Sequence, residues 1–336
     1  MAVAKKRQKR FSQFWDFIIH TPVSRAYSLQ LLPMFIALLL ILLPLTLTSA
    51  QILAEHLSGS QDSVQLTRPG QTNIATNQHI NIQPAVQELS RRDKLEKLIT
   101  DFQKSQPAKV YVYVKDLKTD DTVEIGSTVS IPSGSIYKLF LANQVYKLNE
   151  AGKLNMFSTV TNTGLTFDHC TMRMVQFSWN YCGEQVRLHL GAVKQTAALV
   201  KQGYAETNLF YKDAAHTSAS DVALILERIY KGGYYSKAHT AQFLSYLRNQ
   251  YYRFRIPTGI PPDLLSSGKV VTYNKTGDVY AYANDGAIIE GEKTNFILVI
   301  LSGPWSIVYP DSSYAIRHLT GLIYNFLNDT KHSLPY

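Results

Sequence analysis

Leu31–Ala50 (LLPMFIALLLILLPLTLTSA) runs for twenty residues without a charge and is mostly aliphatic. A helix of that length rises about 30 Å, the thickness of a bilayer's hydrocarbon core. Soluble domains rarely bury so long an uncharged helix, and Pro33 and Pro44 are costly in one but tolerated in a membrane. Lys5, Lys6, Arg7, Lys9, Arg10 and Arg25 precede the run against a single acid, Asp16. The positive-inside rule then predicts a cytoplasmic tail over 1–30, a transmembrane segment over 31–50 and an external remainder. Thr48-Ser49-Ala50 looks like a small-residue cleavage site, which would make the segment a removable signal and the product secreted. The length of the run and the thirty residues ahead of it favour an uncleaved signal anchor: a single-pass cell-membrane protein with its working part extracytoplasmic.

Charge follows the same division. The 336 residues carry 34 Lys+Arg and 25 Asp+Glu, a net +9, but beyond residue 30 the balance is 28 to 24. The basicity is largely a tail, and no nucleic-acid partner is expected. An apolar content of 45 % excludes a wholly disordered chain. Residues 51–86 are rich in Gln, Asn, Ser and Thr with no sustained apolar period, a polar flexible linker. The only two cysteines, Cys170 and Cys182, lie in the external part. An oxidising compartment permits a disulfide, worth about 3 kcal/mol for a ring of this size. Two unpaired buried thiols fit the sequence as well. The histidines do not fall at metal-ligand spacing beside them, so neither a metal nor a cofactor is expected.

The globular domain spans 87–336. Leu89, Leu95, Leu98, Ile99 and Phe102 form one helical stripe in 88–103. Residues 109–115 alternate as a strand, with a turn at Asp120-Asp121 into a second over 122–125. Helical patterns cover 139–148, 220–230, 238–249 and 313–327, and strand patterns 270–274, 287–289 and 296–302. Runs of each type without βαβ alternation predict an α+β domain, an antiparallel sheet with helices segregated around it.

Chemistry gathers at the junctions. Ser135 and Lys138, in Ile131-Pro132-Ser133-Gly134-Ser135-Ile136-Tyr137-Lys138, are three apart at a helix start and face the same way. A serine needs something to take its proton, and a desolvated lysine can be neutral and accept it. Ser178-Trp179-Asn180 follows a helical stretch, and Asn274-Lys275-Thr276-Gly277 sits between two strand-like runs. Ser-x-x-Lys, Ser-x-Asn and Lys-Thr-Gly, in that order, are the signature set of the penicillin-recognising serine enzymes. Residues 90–330 therefore resemble the class A β-lactamase family and its penicillin-binding relatives. Gly164-Leu165-Thr166, His216–Ala223, Ile256–Pro261 and Tyr282–Gly286 resemble its flanking segments.

The resemblance implies a β-lactamase/transpeptidase-like fold with a helical subdomain, a catalytic domain that is monomeric, and a β-lactam or D-Ala-D-Ala-like peptide as substrate. It implies Ser135 as nucleophile and Lys138 as its base or electrostatic partner. Ser178 would relay a proton to the leaving nitrogen, and Asn180 would bind the substrate's amide side chain. Lys275 and Thr276, ahead of Gly277, would hold its carboxylate. The backbone N–H groups of Ser135 and Asp278 would form the oxyanion hole. One departure matters. The family's omega loop carries Glu-x-x-Leu-Asn, whose Glu activates the deacylating water. Here 204–215 is short and holds Glu206-Thr207-Asn208-Leu209, with Asn and Leu reversed. Glu206 is the nearest candidate for that role. Trp179 stands where class A enzymes have Asp. The expectation is a serine β-lactamase-like hydrolase. Its alternatives are a penicillin-binding protein slow to release its acyl group and a non-catalytic envelope-binding module.

Overall fold

Ser90 caps helix α1 (Arg91–Lys104): its Oγ accepts the Asp93 N–H at 3.1 Å, and Asp93 complements the positive end of the helix dipole. Leu95, Ile99 and Phe102 are its buried stripe, while Leu89 precedes the helix and is exposed. The expected hairpin follows as β1 (Val110–Asp116) and β2 (Thr122–Ile125). Then come β3 (Ile131–Pro132), a single 3₁₀ turn (Gly134–Ile136) and α2 (Tyr137–Glu150). This computed structural model describes residues 88–210 and 214–334. The basic tail, the apolar run and the linker lie outside the described residues, as do 211–213 in the short omega-loop stretch. Among the described residues no helix is long and apolar enough to cross a membrane.

The middle of the chain is helical: α3 (Phe167–Gln176), α4 (Asn180–Leu190) and α5 (Ala192–Lys201). Gly191, at φ +79°, makes the break between the last two, a conformation that glycine adopts without steric cost. After β4 (His216–Thr217) come α6 (Ala219–Lys231) and α7 (Lys237–Arg248), each capped by a serine, Ser218 and Ser236. The short α8 (Pro262–Ser266) leads to β5 (Val271–Val279), β6 (Tyr282–Glu290), β7 (Asn295–Ser302) and the closing α9 (Ser313–Asn328).

The sheet order is β2-β1-β7-β6-β5, with every neighbour antiparallel, and β3 pairs with β4 in a separate short ladder. The expected α+β class holds. Ile297, Val299 and Leu301 of β7 face a core shared with α2 and α6, while Phe296, Leu298 and Ile300 face one shared with α1 and α9. With both faces covered, β7 reads as an unbroken apolar run rather than an alternating one.

Strands β5 and β6 are longer than their expected 270–274 and 287–289. Asn284-Asp285-Gly286 has turn-like composition, yet all three are buried in β6. Asn284 Nδ2 donates to the Pro132 carbonyl and its Oδ1 accepts the Ser302 N–H; Asp285 accepts from Ile256 N–H and Asn274 Nδ2. Satisfied in this way, polar residues can occupy a central strand.

Candidate active site

The turn that carries Ser135 is pressed against β5. A Cβ at Gly134 would stand 2.4 Å from the Asp278 nitrogen, and one at Gly277 would stand 2.3 Å from the Ser133 carbonyl oxygen. Only glycine at both positions lets the backbones meet. That approach brings the Ser135 turn beside Asp278, the two residues whose N–H groups were expected to form the oxyanion hole. Ser133 fixes the other side, its N–H and Oγ both donating to the Ala215 carbonyl at 2.8 and 2.9 Å.

Helix α2 is buried continuously from Lys138 to Tyr146, which puts a lysine in the interior. Lys138 Nζ lies 2.8 Å from Ser135 Oγ, 2.6 Å from the Ser178 carbonyl oxygen and 2.6 Å from Asn180 Oδ1. Burial pushes its ammonium down to about 7. In the neutral amine, two N–H bonds serve the two carbonyl oxygens. The third tetrahedral position is then a lone pair, directed at Ser135 Oγ.

Helices α3 and α4 meet at Ser178-Trp179-Asn180. Ser178 has φ +57°, strained for a non-glycine residue, and turns its carbonyl to Lys138 and its hydroxyl to Lys275. Cys170 and Cys182 form a disulfide, Cα to Cα 5.1 Å, that joins the helices on either side of this corner. On β5, the buried Lys275 Nζ donates to Ser178 Oγ and to the Thr276 carbonyl, both at 2.8 Å. Burial, then the nearby Lys138, hold its ammonium well below the usual lysine range. Asp278 ends the group. Its carboxylate accepts from the fully buried Arg255 Nη2 and, at 2.7 Å, from the Tyr309 hydroxyl.

Ser135, Lys138, Ser178, Asn180, Lys275, Thr276, Gly277 and Asp278 thus come together. Glu206 does not join them. The Glu206 N–H donates to Asp221 Oδ2 at 2.9 Å and its carbonyl accepts from Ser130 Oγ, and it makes no hydrogen bond to any of the eight. The cleft at Ser135 holds about 310 Å³ and is lined on the loop side by Leu209, Ala214 and Ala215. Tyr137, Glu184 and Arg187 line it too, and none of them stood out in the sequence. The one available signal was Gly183, a glycine inside a helix. A Cβ there would lie 2.8 Å from both Lys138 Cε and the Tyr137 hydroxyl. A second cavity of about 240 Å³, beside α1 and β2, contains none of these residues. Among the described residues no cluster of His, Cys, Asp and Glu could hold a metal ion.

The antiparallel sheet, the buried lysine under a helix-start serine and the Lys-Thr-Gly strand are the architecture of the penicillin-recognising serine proteins. The chain belongs to the beta-lactamase enzyme family, whose model matches residues 91–327. No curated protein matches it in sequence. Among solved structures it is similar to PBP-A (16 % identity, 70 % of this chain and 96 % of that one, TM-score 0.63). It is also similar to the ancestral class A β-lactamase GNCA (19 %, 68 % and 98 %, TM-score 0.62). A β-lactamase from Xanthomonas campestris pv. campestris matches at 15 %, over 71 % of this chain and all of that one, with a TM-score of 0.62. At such identities the likeness is one of fold.

Proposed function

We propose that the domain is a serine hydrolase of β-lactamase type that opens β-lactam amides through an acyl-serine. The observation that carries this reading is the bonding of Lys138, whose two carbonyl partners leave its lone pair to Ser135 Oγ. As Oγ attacks the lactam carbonyl carbon, its proton passes to Lys138 Nζ and the carbonyl π pair moves to oxygen. The N–H groups of Ser135 and Asp278 hold that oxyanion. Collapse breaks the C–N bond, and the nitrogen takes a proton from the Ser178 hydroxyl, which recovers one from the lysines around it. Asn180 keeps its amide N–H₂ for the substrate's amide carbonyl. Lys275 and Thr276 attract the substrate carboxylate, which returns a counter-charge to a buried cation.

Intact mass after mixing with benzylpenicillin, followed over time, tests this reading. An adduct should form and then disappear, and Ser135→Ala should form none while keeping its circular dichroism. Labelling that survives the substitution would sink the assignment. The position of Glu206 supports a second reading, a penicillin-binding protein that holds its acyl group; a persistent adduct would select it. A binding module would show no adduct, and it has no use for all six of Ser135, Lys138, Ser178, Asn180, Lys275 and Thr276.

The uncharged Leu31–Ala50 run behind a basic flank supports a membrane-anchored, external placement for the domain. A reporter fused after Tyr336 should be active only outside the cytoplasm.

A further inference from the structure

Hydrolysis of an acyl-serine needs a group that takes a proton from water, and no hydrogen bond ties Glu206 to the site residues. Among the described residues two carboxylates line the cleft at Ser135, Glu184 and Asp278. Asp278 is the counter-charge of the fully buried Arg255 and also accepts from Tyr309, so protonating it would leave a buried guanidinium unpaired. Glu184 lies four residues after Asn180 on α4 and so projects from the same face of that helix. Its two oxygens accept from Arg187 Nε at 2.9 Å and Nη2 at 2.6 Å, while Arg187 Nη1 donates to the Leu209 carbonyl at 3.1 Å. The arginine therefore braces the carboxylate against the 204–210 loop. Each oxygen keeps a second lone pair for a water.

Glu184 and Ser135 line the same cleft, with Tyr137 beside them. The Glu184 charge adds to burial in pushing the Tyr137 phenol up to about 12, and Tyr137 lies between Ser135 and Lys138 in the chain. The Arg187 hydrogen bonds hold the Glu184 carboxyl below the usual glutamate range, so it is ionised throughout the neutral region.

We infer that Glu184, supplied by helix α4 and held by Arg187, is the general base that releases the acyl group. This rests on the acyl-serine reading above. Glu184 takes a proton from water while the water oxygen bonds to the ester carbonyl carbon and the π pair moves to the oxyanion. On collapse the C–Oγ bond breaks, and its electron pair stays on Ser135 Oγ. The proton that Glu184 removed is returned there, so serine and carboxylate end as they began.

The test follows formation and loss of the benzylpenicillin adduct on the full-length chain by intact mass. Glu184→Gln keeps a hydrogen-bonding side chain beside Arg187. It should form the adduct within about 3-fold of the wild-type rate and release it about 10²-fold or more slowly. Glu184→Asp should release at an intermediate rate, the partial rescue that a purely structural role would not give. Where Glu184→Gln fails to fold, the ratio of formation to release in Glu184→Asp decides, and a ratio equal to wild type overturns the proposal. Wild-type release in Glu184→Gln overturns it too, as does a wild-type adduct that never turns over. A wild type that forms no adduct at all overturns the acyl-serine reading instead.

Discussion

Lys138 sets the pH behaviour of the site. Its value of about 7 is depressed by burial, and in the proposed acylation the reactive form is the deprotonated one. Acylation by benzylpenicillin should therefore be slow below pH 6, rise through about pH 7 and level off above it; stopped-flow rates between pH 5 and 9 would show this. A rate that falls across that range would mean that Lys138 acts as an acid. Glu206 gives the opposite kind of prediction. Because its hydrogen bonds run through its backbone to Asp221 and Ser130 and none reaches the site residues, Glu206→Gln should leave adduct formation and lifetime within about 2-fold of wild type, without the 10²–10⁴-fold loss that removing a general base would bring. An adduct that accumulates in that variant would restore the omega-loop role expected from the sequence. At this scale the sequence was legible where spacing carries geometry, as in Ser135 and Lys138 three apart at a helix start. Glu184 and Arg187 were not legible. Their relation to Ser135 depends on the direction in which α4 leaves Ser178, and no local pattern encodes that.

Elements act on the site through close approach. Gly277→Ala would put a methyl group into the Ser133 carbonyl and the Ile136 nitrogen, forcing β5 away from the serine turn. The Asp278 N–H would move with it. Loss of one oxyanion donor costs about 10²–10³ in rate. Acylation should fall by that order with little change in far-ultraviolet circular dichroism. Gly183→Ala works from the opposite side by displacing Lys138 and Tyr137, and its acylation should shift in pH dependence as well as in rate. The extents of α1, α6, α7 and α9 were readable from apolar patterning to within three residues. The Ser-Trp-Asn corner was placed correctly after a helix, but no separate pattern was singled out for α4 or α5. Strands β5 and β6 were read short because the buried Asn284 and Asp285 find their partners on distant segments, and sequence alone cannot supply those partners.

For the whole molecule, the two-faced sheet explains why the fold could be read as a class before it could be drawn as a topology. Continuous apolar runs announce burial on both sides but leave open which strands are neighbours. The disulfide adds a global term. Removing the 12-residue link with Cys170→Ser and Cys182→Ser should cost about 3 kcal/mol. That lowers the melting temperature by roughly 6–12 °C in a domain of this size, measurable by calorimetry. A change under 1 °C would mean that the bridge constrains nothing in the unfolded chain. Its position has a further consequence. The covalent ring encircles Ser178, Trp179 and Asn180, so the corner that holds Lys138 and Lys275 in register is completed only by oxidation. In a reducing medium that closure is absent, so the order of the corner, and with it the placing of both lysines, is tied to the redox state of the surroundings.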